Sequence, residues 1–192
     1  MQTVYRVTPP VAAPITLAEA RTHLRSDTSF APDAAEDALI TGLIDAAVNW
    51  LDGWTGVLGM ALMPQTWEMA LDAFPNLEIM VPLGPVISVA SISYTDAAGA
   101  AQVLPGASYS IDVQGARVRP VDFWPVTATS MAAVKIRWVA GQGCPPAIRA
   151  AILILIGHWY GAGREPVVTG TIAQEVPLTV ATLIAPFRRV GF

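Results

Sequence analysis

The residues able to do chemistry in this chain are few and poorly spaced for it. The two histidines, His23 and His158, lie too far apart for the His-x-x-x-His spacing that sets two imidazoles on one helix face around a metal. Both read as ordinary structural side chains. The single cysteine, Cys144, stands just before Pro145 at an expected helix start, a position that can lower a thiol pKa. His158 could be imagined as its base, but it would lie about 20 Å along the same helix. The pair is rejected. Asp45 and Asp52 are two helical turns apart, yet paired carboxylates do acid–base work only when burial splits their pKa values, and these sit in a polar stripe. Gly141-Gln142-Gly143 lacks the Lys and Ser/Thr of a phosphate loop and reads as a turn. No nucleophile–base–orienter set emerges, no cofactor is implied, and the chain does not read as an enzyme.

The same residues say more about assembly than about catalysis. In the stretch from Asp33 to Gly56, Asp37, Thr41, Asp45, Asn49 and Asp52 recur at helical spacing and form one polar stripe. Leu39, Ile40, Leu43, Ile44, Ala47, Val48, Trp50, Leu51 and Trp54 make the rest of that helix apolar, far wider than the roughly 100° band a surface helix buries. Asp33 with Glu36 offers an N-terminal cap, and Gly56 a left-handed C-cap. Such a helix needs cover on more than one side, and a neighbouring subunit can supply it. The six tryptophans are then better read as core or interface anchors than as a stacking surface for sugars or bases.

Composition points the same way. Only 14% of the 192 residues are charged, against about 25% in a typical globular protein, while 53% are hydrophobic. Mean hydropathy is +0.48. A membrane span needs roughly 18 consecutive apolar residues, and the best run, Ala150 to Ile156, is too short. No signal peptide is evident. Large apolar interfaces between subunits remain the preferred explanation. A net charge of −4 argues against a tight nucleic-acid grip, which needs clustered Lys and Arg. One cysteine allows no internal disulfide and no zinc set.

In chain order, Met1 to Pro14 is expected to be extended. A capping box at Thr16-Leu17-Ala18-Glu19 opens a helix over about 16–25, and the wide apolar helix follows over about 33–55. From Trp67 the period becomes two, with Trp67, Met69 and Leu71 alternating against Thr66, Glu68 and Ala70. Further strands are expected at Leu77–Val81, Val86–Tyr94, Tyr109–Val113, Ala116–Arg119 and Val134–Val139. Turns fall at Pro82 to Pro85, Asp96 to Gly99 and Gln114-Gly115. A third, strongly apolar helix spans about 145–160, Gly161 to Pro177 is linker-like, and a short helix starts near Leu178. The fold class is α+β: a helical frame holding an antiparallel β insertion at about 65–140. Residues 1–177 form the main domain and 178–192 a terminal segment.

With the pieces in this order the chain resembles the head–tail connector (adaptor) proteins of long-tailed phages and gene transfer agents. The resemblance rests on Ile15-Thr16-Leu17-Ala18-Glu19-Ala20 with His23-Leu24-Arg25, then Leu43-Ile44-Asp45-Ala46-Ala47 and Trp54-Thr55-Gly56. Gln65-Thr66-Trp67, Pro82-Leu83-Gly84-Pro85-Val86, Val139-Ala140-Gly141, Ala150-Ala151-Ile152-Leu153 and His158-Trp159-Tyr160 through Arg164-Glu165 complete it. It spans about Ile15 to Arg189, and the ordered series rather than any one motif carries it.

The resemblance implies a structural protein of a virion or virus-like particle at the head–tail interface, made in the bacterial cytoplasm. Its copies, typically twelve, would form a ring between the portal protein and a stopper or tail protein, with DNA passing through a central channel without sequence-specific binding. Leu43, Trp50, Trp54, Ile152, Leu155 and Trp159 are the candidate subunit-interface residues. Leu183, Phe187, Arg188 and Arg189 are the candidate portal contacts, although Arg188 and Arg189 also simply suit the dipole at a helix end. Two alternatives stay open: a stopper or tail-completion ring on the same axis, and a small ligand-binding or hydrolytic α+β domain.

Overall fold

Val134, Ile136 and Trp138 alternate with Lys135 and Arg137 along the strand around which the β part of the chain is built. The computed structural model describes residues 3–25, 34–162 and 177–189. These divide into a β unit (Met1–Ala12 with Met60–Gly143) and a helical unit (Ala13–Gly59 with Cys144–Phe192).

In the β unit, β1 (Thr3–Thr8), β2 (Gln65–Leu71), β4 (Val86–Thr95), β5 (Ala101–Val103) and β8 (Val134–Ala140) form an antiparallel sheet of order β1-β2-β8-β4-β5. A second sheet, order β3-β7-β6, joins β3 (Ile79–Met80), β6 (Tyr109–Asp112) and β7 (Arg117–Pro120). Both sheets feed one core: Trp67, Met69, Ile92, Val134, Ile136 and Trp138 from the first, Ile79 and Val118 from the second. The Trp138 indole N–H donates to the Leu83 carbonyl at 2.9 Å, which satisfies its one polar atom inside that core.

The expected strands are present. The N-terminal extended segment is itself a strand, β1, and β5 follows the Asp96 turn where no strand was expected, because three residues are too few to show a period. That turn is held by Asp96, whose Oδ1 accepts from the Ala98 and Ala100 N–H groups at 2.9 Å each, with Gly99 at φ 86°. The simple alternation expected for β2 does not hold. Glu68, placed on the wetter face, is buried, because Tyr5 and Arg137 sit directly opposite it on β1 and β8 and fold over it.

The helical unit comprises α1 (Leu17–Leu24), α2 (Ala34–Leu51), α3 (Pro146–Ala162) and α4 (Leu178–Ile184). The α1 capping box forms as the sequence indicates: the Glu19 N–H donates to the Thr16 hydroxyl at 3.2 Å, and the Thr16 N–H returns a bond to the Glu19 carboxylate at 2.8 Å. α3 packs against α1, α2 and α4. Arg21 pairs with Asp37, Arg149 with Glu19, and the Tyr160 hydroxyl donates to Glu36. No helix among the described residues is long and apolar enough to cross a membrane.

The end of α2 differs from expectation. The helix stops at Leu51, four residues early, and Gly53 rather than Gly56 takes the left-handed conformation, at φ 86°. The chain then doubles back, with the N–H groups of Val57 and Leu58 donating to the Trp50 and Leu51 carbonyls at 2.9 and 3.2 Å. Gly56 lies against the carbonyls of Leu51 and Asp52 so closely that any Cβ would collide with them. Trp54 is therefore in a loop and not on the helix. The Asp33 cap, the 26–32 loop and most of the Gly161 to Pro177 linker lie outside the described residues.

Candidate assembly surfaces

The side chains with chemical potential are distributed in ways that disarm them. Burial pushes the Cys144 thiol up to about 11, outweighing the opposing charge of Arg149, so it stays protonated near neutral pH. His158 lies twelve positions beyond the first residue of α3, about 18 Å along the axis. Asp45 is exposed on α2, whereas Asp52 is buried beyond the helix end. The N–H groups of Gly141 and Gly143 donate to the Pro85 and Leu62 carbonyls at 2.9 Å each, leaving neither free to cradle a phosphate. Among the described residues no three His, Cys, Asp or Glu side chains cluster to hold a metal. A shallow depression on the helical unit, lined by Ala18, Glu19, Thr22, His23, Arg149 and Leu153, holds a capping glutamate already bonded to Thr16 and Arg149. Those same bonds, that from the Thr16 N–H foremost, hold the Glu19 carboxyl below its ordinary range.

The expected interface residues separate into two groups. Ile152 and Leu155 are completely buried within the chain, so they act as core and offer a neighbour no surface. Leu43, Trp50 and Trp159 are half-buried, and Trp54 is 45% exposed. Of the expected portal contacts, Leu183 and Phe187 are half-buried while Arg188 and Arg189 are exposed. The segment bearing them is not a free arm: Val180 and Ile184 are buried, and α4 packs on α3.

Two features escaped the sequence reading. One is the cluster on the outer face of the larger sheet, where the Tyr5 hydroxyl and the Arg137 guanidinium both donate to Glu68. Burial alone would raise the Glu68 carboxyl, but those two bonds and the charges of Arg137 and Lys135 together hold it below its ordinary value. Only strand register, which pattern does not supply, brings the three together. The other is the exposure of the irregular loop expected between Asp122 and Ala132, where Val121, Phe123, Val126 and Met131 are 62, 92, 77 and 89% exposed. Its signal was apolar residues in a segment with no core-facing period.

No protein-family model and no curated protein matches the chain. Solved structures do. A chain in the neck of an empty gene transfer agent particle, computed with C6 symmetry, is 25% identical, with a TM-score of 0.76 over 99% of this chain and 97% of that one. A chain in the virion of a native gene transfer agent particle is 26% identical, with a TM-score of 0.73 over 98% and 96%. A third, in the neck of a native particle computed with C12 symmetry, shares the fold at 22% identity and a TM-score of 0.67, over 99% and 97%. The chain is thus similar, end to end, to structural components of gene transfer agent particles, as its resemblance to the head–tail connectors implied.

Proposed function

We propose that this chain is a non-enzymatic connector subunit at the neck of a gene transfer agent or tailed-phage particle, repeated around the particle axis as a ring. The observation that carries this reading is length-for-length similarity: 99% of this chain matches 97% of a particle-neck chain at 25% identity. Its physical basis is the low charge of the sequence together with Trp54, Leu39 and the half-buried Leu43, Trp50 and Trp159, which offer apolar surface to neighbours. A ring needs two unlike patches per subunit, because heterologous contacts are the ones that close around an axis.

Within the neck the chain takes the adaptor position, between the portal and a stopper or tail protein, in twelve copies around a channel. Arg188 and Arg189, which are exposed, form the portal contact together with the half-buried Leu183 and Phe187. A net charge of −4 suits a channel through which DNA slides, since phosphate contacts that release counterions would hold it. Purified particles separated into neck and capsid fractions test the reading by mass spectrometry. The chain should enrich with the portal in the neck fraction, and its absence from particles would refute the proposal.

A further inference from the structure

The most conspicuous feature left unused is the 121–132 loop of the β unit, a firmly held backbone that presents large apolar side chains to water. Its ends and middle are tied down. The Val121 N–H donates to the Ser108 carbonyl at 3.0 Å, and the Ala128 N–H to the Thr95 carbonyl at 2.9 Å. Thr127 forms a bridge with Asp96, and the Ala132 N–H donates to the Asp72 carboxylate at 2.9 Å. Trp124 turns inward and stacks on Phe74, with ring centroids 4.7 Å apart and planes within 2°. Its neighbours turn outward, and Phe123 at 92% exposure and Met131 at 89% are nearly as open as free side chains. A loop of this length with no regular structure is usually functional when it is ordered.

The exposed side chains Val121, Phe123, Val126 and Met131 add up to on the order of 500 Å² of apolar surface. From one loop alone, that exceeds half of the roughly 800 Å² that each partner gives to a stable interface. Asp122 is the only charged residue in the loop. A phosphate backbone would therefore find nothing to bind here, and the matching partner is an apolar protein surface. Because the backbone is already fixed, little ordering entropy is lost on docking.

We infer that this loop is one half of the contact between adjacent copies of the chain, seated on a different surface of the next copy; the inference rests on the ring reading above. In a cyclic assembly each subunit has a copy on either flank, and a projection that meets an unlike surface there is the heterologous contact that closes a ring. The Phe123 ring is the central anchor, as buried aromatics are in most interfaces.

The test is photo-crosslinking of the full chain carrying Phe123→benzoylphenylalanine, in assembled particles. The expected adduct has twice the mass of the chain, with the attached peptide lying outside 121–132 of the neighbour. A second variant, Phe123→Asp with Met131→Asp, should keep the thermal midpoint of the purified chain, since both side chains are exposed, and lower its copies per particle about tenfold or more. An adduct with another neck protein, an adduct between two 121–132 loops, no adduct, or an unchanged copy number would each overturn the inference. All four can occur with the ring intact. Particles that lack the unsubstituted chain altogether would overturn the ring reading as well.

Discussion

The backbone N–H of Arg189 donates to the carbonyl of Leu58 at 3.0 Å, which ties the last described residue to the loop that follows α2. With Val180 and Ile184 buried, this bond makes the C-terminal segment part of the helical unit and not an appendage to it. Only its outer face is available for docking.

Truncation at Leu178 is therefore expected to destabilise the helical unit. The single change Ile184→Ala should already cost about 2–5 kcal/mol, as a cavity left by a buried branched side chain does. The double change Arg188→Glu with Arg189→Glu should leave stability within about 0.5 kcal/mol. If the segment meets the portal, it should also reduce the chain's incorporation into particles. Thermal unfolding paired with particle composition separates the two effects, and incorporation at the normal level would remove the portal contact from the proposal.

Trp54 and Ile152 should respond oppositely to truncation. Trp54→Ala removes an exposed ring and should cost the monomer less than about 1 kcal/mol while weakening assembly. Ile152→Ala empties a fully buried position and should cost about 2–5 kcal/mol. Denaturant melts and sedimentation velocity on both variants check this. Equal effects on assembly at matched folded fraction would place both residues in the same role.

Much of the fold was legible in the sequence, and the failures share a cause. The α1 capping box, the alternation of β8, the Asp96 turn and the overall α+β order depend on neighbours within a few residues, which pattern can register. What was missed depends on partners far along the chain. Glu68 is buried only because register sets Tyr5 and Arg137 opposite it. Ile152 and Leu155 looked like interface because an apolar helix surface does not reveal which part its own chain covers. Trp54 was placed on α2 because Gly56 reads as the C-cap, and the fold-back of Val57 and Leu58 onto Trp50 and Leu51 leaves no helical period to read. The exposed 121–132 loop left only a negative trace, apolar residues without a period.

Glu68 makes part of the stability depend on pH. Its carboxyl is depressed in the folded chain relative to its ordinary value of 4.5, so its contribution is fully present above that value. It should be lost as pH falls through the lower folded value. Glu68→Gln should flatten this acid limb and cost about 1–3 kcal/mol at pH 7, since Arg137 and Tyr5 lose a charged acceptor. Stability measured from pH 7 to pH 3 in both proteins provides the check, and parallel curves would contradict the assignment.

Cys144 should react slowly. With its thiol near 11 and half-buried, alkylation at pH 8 should run about a hundredfold slower than for an ordinary exposed cysteine. The rate should climb with pH without levelling below pH 10. A plateau near pH 9 would indicate an unperturbed, open thiol.

Whether this chain is repeated around the axis of a particle neck can be seen in a symmetry-averaged density map of that neck. The map should hold a closed ring of identical subunits, each showing the β1-β2-β8-β4-β5 sheet and the α1–α4 helical unit. A neck map of particles from the producing cell in which no ring fits this fold would contradict it.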